Sequence, residues 1–211
     1  MHLVDSLGKS GLESYCCHHE QAVAIATEGY GRIKNSPGVA LVTTGPGGTN
    51  AVTGIAGAWL DSIPMLVIAG QVKRASITPR QNGVPVVRAI GFQELNVIDL
   101  VKPITKYTVN VEDEKEIRYH LEKAVYLSKH GRPGPVFVEI PLDVQAAEIE
   151  SENLKSFDPS EIKQETNLDS ATIAKVAELL KNAKRPLLLA GNGIRLAGGE
   201  EILWKVLEKF E

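Results

Sequence analysis

Pro64-Met65-Leu66-Val67-Ile68-Ala69 has no polar side chain to offer a solvent face. A strand of this kind is covered on both sides, and sheets covered on both sides are mainly parallel ones flanked by helices. Val136 to Ile140 reads as a second buried strand, introduced by the stop signal Gly131-Arg132-Pro133-Gly134-Pro135. Between and around these runs the hydrophobic period switches repeatedly from two to about 3.6, which argues for βα units and an α/β fold, a parallel sheet flanked by helices.

Taken in order, residues 2 to 9 read as the tail of an amphipathic helix. A strand is expected at Tyr15 to Cys17, then a helix from about Glu20 to Lys34. On that helix Ala22, Ile25, Ala26, Gly29 and Ile33 recur at three- and four-residue intervals as the buried face. These side chains are small, so another backbone can approach closely. The next unit runs from the strand Val39 to Thr43 through Gly45-Pro46-Gly47-Gly48 into a helix reaching about Leu60. Lys73 to Ala89 is a long polar connection, and loops of this length are usually functional or mobile. A short helix over Phe92 to Leu100, a strand over Thr105 to Val111 and a helix over Glu112 to Lys129 follow, the last opening on acidic residues that complement its dipole.

Residues 148 to 168, rich in Glu, Ser, Lys and Asn, read as a linker between a domain over 1–147 and the start of a second over 169–211. That second part is expected to hold a helix from Ser170 to Asn182, a strand from Pro186 to Ala190, the turn Gly191-Asn192-Gly193 and a helix from about Glu200. A chain that opens on a crossover helix and closes after one strand of a new alternation reads as truncated at both ends.

A net charge of −3 offers no basic excess for nucleic acid. No apolar run approaches the roughly 20 residues that span a bilayer, and the first residues are not a secretory signal, so the expected compartment is the cytoplasm. The two cysteines are adjacent and form neither a disulfide framework nor a metal set. His18 and His19 precede a carboxylate, but no second ligand pair stands at metal spacing.

The glycine turn Gly45 to Asn50 lies between a strand and a helix, where free N–H groups and the helix dipole favour a phosphate. It departs from G-x-G-x-x-G at Asn50, and the following strand lacks the acidic residue that would hold a ribose. A tight turn with close packing and a ligand contact are both open readings. Arg132 is equally open, as a capping residue or as a phosphate or flavin contact.

Six segments then occur in a fixed order: His19-Glu20-Gln21-Ala22 with Glu28-Gly29-Tyr30; Thr44 to Asn50; Asp61-Ser62-Ile63-Pro64 with Gly70-Gln71-Val72; Phe92-Gln93-Glu94; Lys102 to Lys106; and Gly131 to Val136. In this order they resemble the thiamine diphosphate-dependent acetolactate synthase (acetohydroxyacid synthase) large subunit family, densely over residues 2 to about 145. The resemblance implies the thiamine diphosphate-binding fold, with the N-terminal pyrimidine-binding domain, lacking its first strand, followed by the start of a central Rossmann-like domain.

It also implies a carboligase of branched-chain amino acid biosynthesis that decarboxylates pyruvate or another 2-oxo acid and joins the fragment to a second carbonyl. Thiamine diphosphate reacts through a carbanion at its thiazolium C2. A carboxylate on N1′ of the aminopyrimidine favours the imino tautomer that acts as internal base. By resemblance Glu20 is that carboxylate, and burial among small apolar residues is expected to raise its pKa. Pro46, Asn50 and Gln93 match positions beside the aminopyrimidine. Arg132 matches an arginine that touches flavin, making FAD the optional further cofactor of a flavoprotein. Mg2+ is implied with ligands outside this chain, as is a homodimer or homotetramer through the pyrimidine-binding domain.

Two departures favour an alternative, a 2-oxo acid decarboxylase or specialised synthase. The stretch from Gln71 to Phe92 is several residues long for the family, and Leu142 stands where lysine is usual. From other classes, a nucleotide-binding domain at Gly45 to Asn50 or a non-catalytic interaction domain remains open.

Overall fold

A computed structural model of the chain describes residues 2–163 and 169–209. They divide into two compact units, Met1–Glu161 and Ile162–Glu211. The first begins with helix α1 (His2–Lys9) and α2 (Glu20–Lys34), followed by strand β1 (Gly38–Val42), α3 (Pro46–Asp61) and β2 (Met65–Gln71). A small hairpin, β3 (Arg80–Gln81) with β4 (Val84–Pro85), leads to α4 (Val97–Val101), β5 (Tyr107–Asn110), α5 (Ile117–Lys129), β6 (Pro135–Pro141) and the one-turn α6 (Leu142–Gln145).

The sheet has the order β1-β2-β6-β5 and every pair is parallel, as the uninterrupted apolar runs require. Leu66, Val136, Val138 and Ile140 point to one face and meet Ala124 and the partly buried Leu121 and Val125 of α5. The alternate set, Met65, Val67 and Phe137, points to the opposite face, and all three are fully buried. There α3 and α4 contribute Ile55, Val97 and Val101. One row of this second face runs in register across the sheet through Val42, Ala69, Glu139 and Asn110.

Helix α2 lies alongside α3 rather than against the sheet centre. Its first turn meets Asn50, Ala24 meets Gly54, and Gly31 meets Ile63 and Pro64, so the two helices run parallel. The packed face of α2 is Ala24, Thr27 and Gly31, and this corrects the sequence expectation. The stripe Ala22, Ile25, Ala26 and Ile33 is exposed in the isolated chain. Both stripes have helical spacing, and small residues on both made the periodicity unable to choose between them.

Residues 11–17 form no strand, and Tyr15 is 81% exposed with both cysteines free and exposed. Among the described residues no strand pairs with this segment, so the β-propensity of Tyr15 and its neighbours has no ladder to join. The short helix expected over Phe92 to Leu100 is present only as α4, because Asn96 caps it through the Asp99 N–H and leaves Phe92 exposed in a turn. Residues 148–161 belong to the first unit, where Phe157 is buried against Tyr119 and Tyr126. Residues 164–168, the rest of the expected linker, lie outside the described residues.

The second unit holds α7 (Ser170–Asn182), capped by Asp169, then α8 (Gly193–Leu196) and α9 (Glu200–Leu207). The strand expected over Pro186 to Ala190 is absent, and Leu187 and Leu189 are 93% and 94% exposed. A lone apolar run has no partner strand among the described residues of this unit.

The contact between α2 and α3 generates a paired prediction. A Cβ on Gly54 would stand 2.5 Å from the Ala24 Cβ and 2.8 Å from its carbonyl carbon, whereas one on Gly57 would meet nothing within 4 Å. Gly54→Ala is therefore expected to destabilise the first unit by about 1–3 kcal/mol. Gly57→Ala is expected to be neutral or to stabilise by up to about 1 kcal/mol. Urea unfolding followed by Trp59 fluorescence in a Trp204→Phe background separates the two.

Candidate functional site

Helices α2 and α3 both begin at the edge of the sheet where the parallel strands end, since α3 follows β1 directly. His19 caps α2 in an extended conformation, its Nδ1 accepting the Gln21 N–H at 3.1 Å. Glu20 is thereby the first residue of the helix, where the N-terminal dipole favours a carboxylate. On α3, Gly45 sits at φ +52° and Pro46 takes the first turn, where its missing N–H costs nothing.

The close approach of the helices brings their heads together. Asn50 Nδ2 donates to Glu20 Oε2 at 3.0 Å. Glu20 Oε1 lies over Gly47, where a Cβ would come within 3.5 Å of it and within 2.7 Å of the Thr43 methyl. Gly47 is buried, and with no side chain there the Thr43 methyl and the carboxylate pack directly over the turn. The Asn50 hydrogen bond, and then the backbone N–H of Glu20 itself, hold this carboxyl below its ordinary value; partial burial works weakly the other way. The expected rise is corrected here, because in this chain the carboxylate remains in reach of water.

Gln93 joins the same edge through its backbone. It adopts φ +61°, and its carbonyl lies so near Gly45 that a Cβ there would be 2.0 Å away. Pro46, Asn50 and Gln93 are all exposed around Glu20 or its turn. Arg132 is elsewhere. Its Nε donates to Ser62 Oγ at 2.6 Å, and Ser62 caps the far end of α3, a helix of 16 residues and hence about 22 Å from its start. The structure therefore groups Glu20, Pro46, Asn50 and Gln93 and places Arg132 at the opposite end of the sheet.

Two residues were given no role by the sequence reading. Gln71, at the end of β2, is 5% exposed. Its Oε1 accepts from Thr44 Oγ1 at 2.7 Å and from the Val72 N–H at 2.8 Å, and its Nε2 donates to the Leu95 carbonyl at 3.2 Å. Glu139, on β6, is 3% exposed, and its Oε1 has no hydrogen-bond partner. Burial pushes this carboxyl up to about 7, opposed by a hydrogen bond from Gln71 and reinforced by the Glu94 charge. The signal was a charged residue inside an apolar run, a rare placement for Glu.

Among the described residues no group of three or more His, Cys, Asp or Glu stands together as a metal site, and no helix is long and apolar enough to cross a membrane. Residues 1–98 match the family model for the thiamine pyrophosphate enzyme, N-terminal TPP binding domain. The chain is 37% identical over 205 residues to the acetolactate synthase large subunit of Lactococcus lactis subsp. lactis, covering 95% of this chain and 33% of the relative. It is 36% identical over 207 residues to a probable acetolactate synthase large subunit of Methanocaldococcus jannaschii, covering 97% and 33%. With the acetolactate synthase isozyme 2 large subunit of Escherichia coli it shares 35% over 197 residues, covering 93% and 33%. The chain thus spans about a third of the length of these relatives.

Two predictions follow from the opposed carboxyls. Asn50→Ala removes the largest influence holding the Glu20 carboxyl down, so its pKa is expected to rise, as read by 13C NMR of the side-chain carboxyl; an unchanged value would show that Asn50 does not hold it. For Glu139 the ordinary value is 4.5 and the folded value about 7. Between them the unfolded chain releases a proton that the folded chain keeps. The contribution to stability is full below about pH 4.5 and is lost as pH rises to about 7, about 3 kcal/mol in all. Glu139→Gln abolishes this slope, so the difference between variant and wild type in urea unfolding grows in the variant's favour from about pH 5 to about pH 8.

Proposed function

We propose that this chain, whose residues 1–98 belong to the thiamine pyrophosphate enzyme N-terminal domain family, supplies the pyrimidine-binding half of a cofactor site in a carboligase of acetolactate synthase type. The observation that carries the reading is the Glu20–Asn50 hydrogen bond, formed where the heads of α2 and α3 meet over the close-packed Gly47 turn. When bound, thiamine diphosphate supplies a nucleophilic carbon and an electron sink for removing the carboxylate of a 2-oxo acid such as pyruvate and joining the remainder to a second carbonyl.

The roles of this chain's own residues follow from their chemistry. Glu20 holds and returns a proton at N1′ of the aminopyrimidine ring. Asn50 fixes one oxygen of that carboxylate, so the other is the one presented to a ligand. Pro46, exposed at the head of α3, and the bend at Gln93 border the ring. As an ionised group within reach of water, Glu20 is a weak base; enclosure by a ring and a second subunit would remove water and move its pKa up towards the working range.

The exposed stripe of Ala22, Ile25, Ala26 and Ile33, with Leu60 exposed on α3, supports a homodimer or homotetramer through this domain. Magnesium belongs to the reading on chemical grounds, since a diphosphate is usually bound through a divalent ion; its ligands would lie outside this chain. FAD at Arg132 rests on the resemblance alone, as does a cytoplasmic place in branched-chain amino acid biosynthesis. Leu142, partly buried at the start of α6, stands where the resemblance implies lysine, and favours a second reading within the same chemistry, a decarboxylase or synthase acting on another 2-oxo acid.

In the full-length polypeptide Glu20→Gln is expected to lower turnover of the 2-oxo acid by about 100-fold or more, with circular dichroism and melting temperature unchanged. Product formation from pyruvate and alternative 2-oxo acids is the measurement. Near-normal rates in the variant would sink the assignment of Glu20.

A further inference from the structure

Gln93 holds a backbone conformation that residues with a side chain rarely adopt, with φ at +61°. Such a conformation persists only where its surroundings over-determine it. The neighbours of Gln93 show what does so. Its carbonyl lies against Gly45, where a Cβ would stand 2.0 Å away. Two residues on, the Leu95 carbonyl accepts from the buried Gln71 Nε2 at 3.2 Å. Between them stands Glu94, whose N–H closes the turn onto the Gly91 carbonyl at 3.2 Å and whose carboxylate reaches back to the long connection after β2.

The group it meets there is Thr78, which is 7% exposed. Thr78 Oγ1 donates to Glu94 Oε2 and accepts the Ile90 N–H at 3.1 Å. An ionised carboxylate can only accept and an N–H can only donate, so a hydroxyl, with one proton and two lone pairs, serves both at once. Residues 78 and 90 are thereby joined across a neck, with the β3–β4 hairpin beyond it. The neck is also close-packed: a Cβ on Gly91 would come within 2.8 Å of the Ser76 carbonyl and 3.0 Å of both the Glu94 Cβ and a Val72 methyl.

Two ion pairs also tie this connection down, Arg74 to Asp143 and Arg80 to Asp99, each at 2.8 Å. All four side chains are largely open to water, and exposed pairs of this kind contribute little. The Thr78 bond is shielded and has a charged acceptor, which places it in the stronger class. We propose that Thr78 is a positioning residue for the Glu20 site: its buried hydroxyl closes the long connection at the neck and, through Glu94, holds Gln93 in the left-handed conformation that sets it against the Gly45 turn. The connection is thus fastened to the site one residue away from Gln93.

The proposal rests on the reading of Gln93 as a border of the cofactor ring, and two measurements keep them apart. In the 211-residue chain, Thr78→Val removes the hydroxyl at nearly constant shape. Hydrogen exchange by NMR is expected to rise about tenfold at the Ile90 and Glu94 amides, as for one lost hydrogen bond, while Val67 and Val138 keep their protection. Thr78→Ser restores the hydroxyl and is expected to return both amides to the wild-type rate. Unchanged exchange in Thr78→Val, or exchange rising equally in the sheet, would overturn the fastening. In the full-length polypeptide, calorimetry with thiamine diphosphate and magnesium is expected to show Kd raised about tenfold in Thr78→Val at unchanged stoichiometry, and restored in Thr78→Ser. A hydroxyl that served folding alone would lower the stoichiometry and leave Kd as it was, and that result would overturn the positioning role. A fully active Glu20→Gln enzyme would instead sink the reading of the site, and the exchange result stands or falls without it.

Discussion

The contact between Gly54 and Ala24 is the constraint on which the site depends. With no side chain on α3 at that point, α2 descends until backbone meets backbone, and the heads of the two parallel helices come into register. Only then does Asn50 reach Glu20 at 3.0 Å. Interiors are close-packed and respond to a single added methyl, so a shift at Gly54 is felt one turn away at the carboxylate. The sheet below is the rigid base, and the helix contact sets the position of the reacting group.

The parts of this arrangement that were legible in the sequence are those with local causes. Pro64 to Ala69 has no polar residue and became a central strand; Pro46 after Gly45 announced the start of α3. Glu20 at a helix head could be read as a carboxylate near a glycine turn, but its partner ring came from resemblance. What failed needed a neighbour. Tyr15 to Cys17 and the apolar run Pro186 to Ala190 have no strand beside them among the described residues. The packed face of α2 could not be chosen from two small-residue stripes, because which one is covered depends on where α3 lies.

Gln71 and Glu139 were hidden for a different reason. A strand buried on both faces gives no alternation, so a polar residue within it looks like an interruption instead of a member of one face. Register resolves it: Ala69, Glu139 and Asn110 form one row, and Gln71 lies one pleat further on, at the edge where the loops gather. Burying such groups is expensive unless they find partners, and three hydrogen bonds at Gln71 meet that requirement.

The two carboxyls at this end of the sheet consequently sit at opposite limits. Glu20 lies at a helix head beside an amide donor and within reach of water, and all three circumstances favour its charge. Glu139 is 3% exposed, faces a like charge and has one oxygen without a donor, so its surroundings favour the neutral form. Separated pKa values are how one site can hold a proton in one place and release it in another. Here the division has a structural logic. The neutral acid lies inside, away from water, and the ionised acid lies outside, where it can meet a ligand. Enclosing Glu20 would move it towards the condition of Glu139 and so into the range where a carboxyl exchanges its proton near neutrality, and that change requires only the removal of water from a face the isolated chain leaves open.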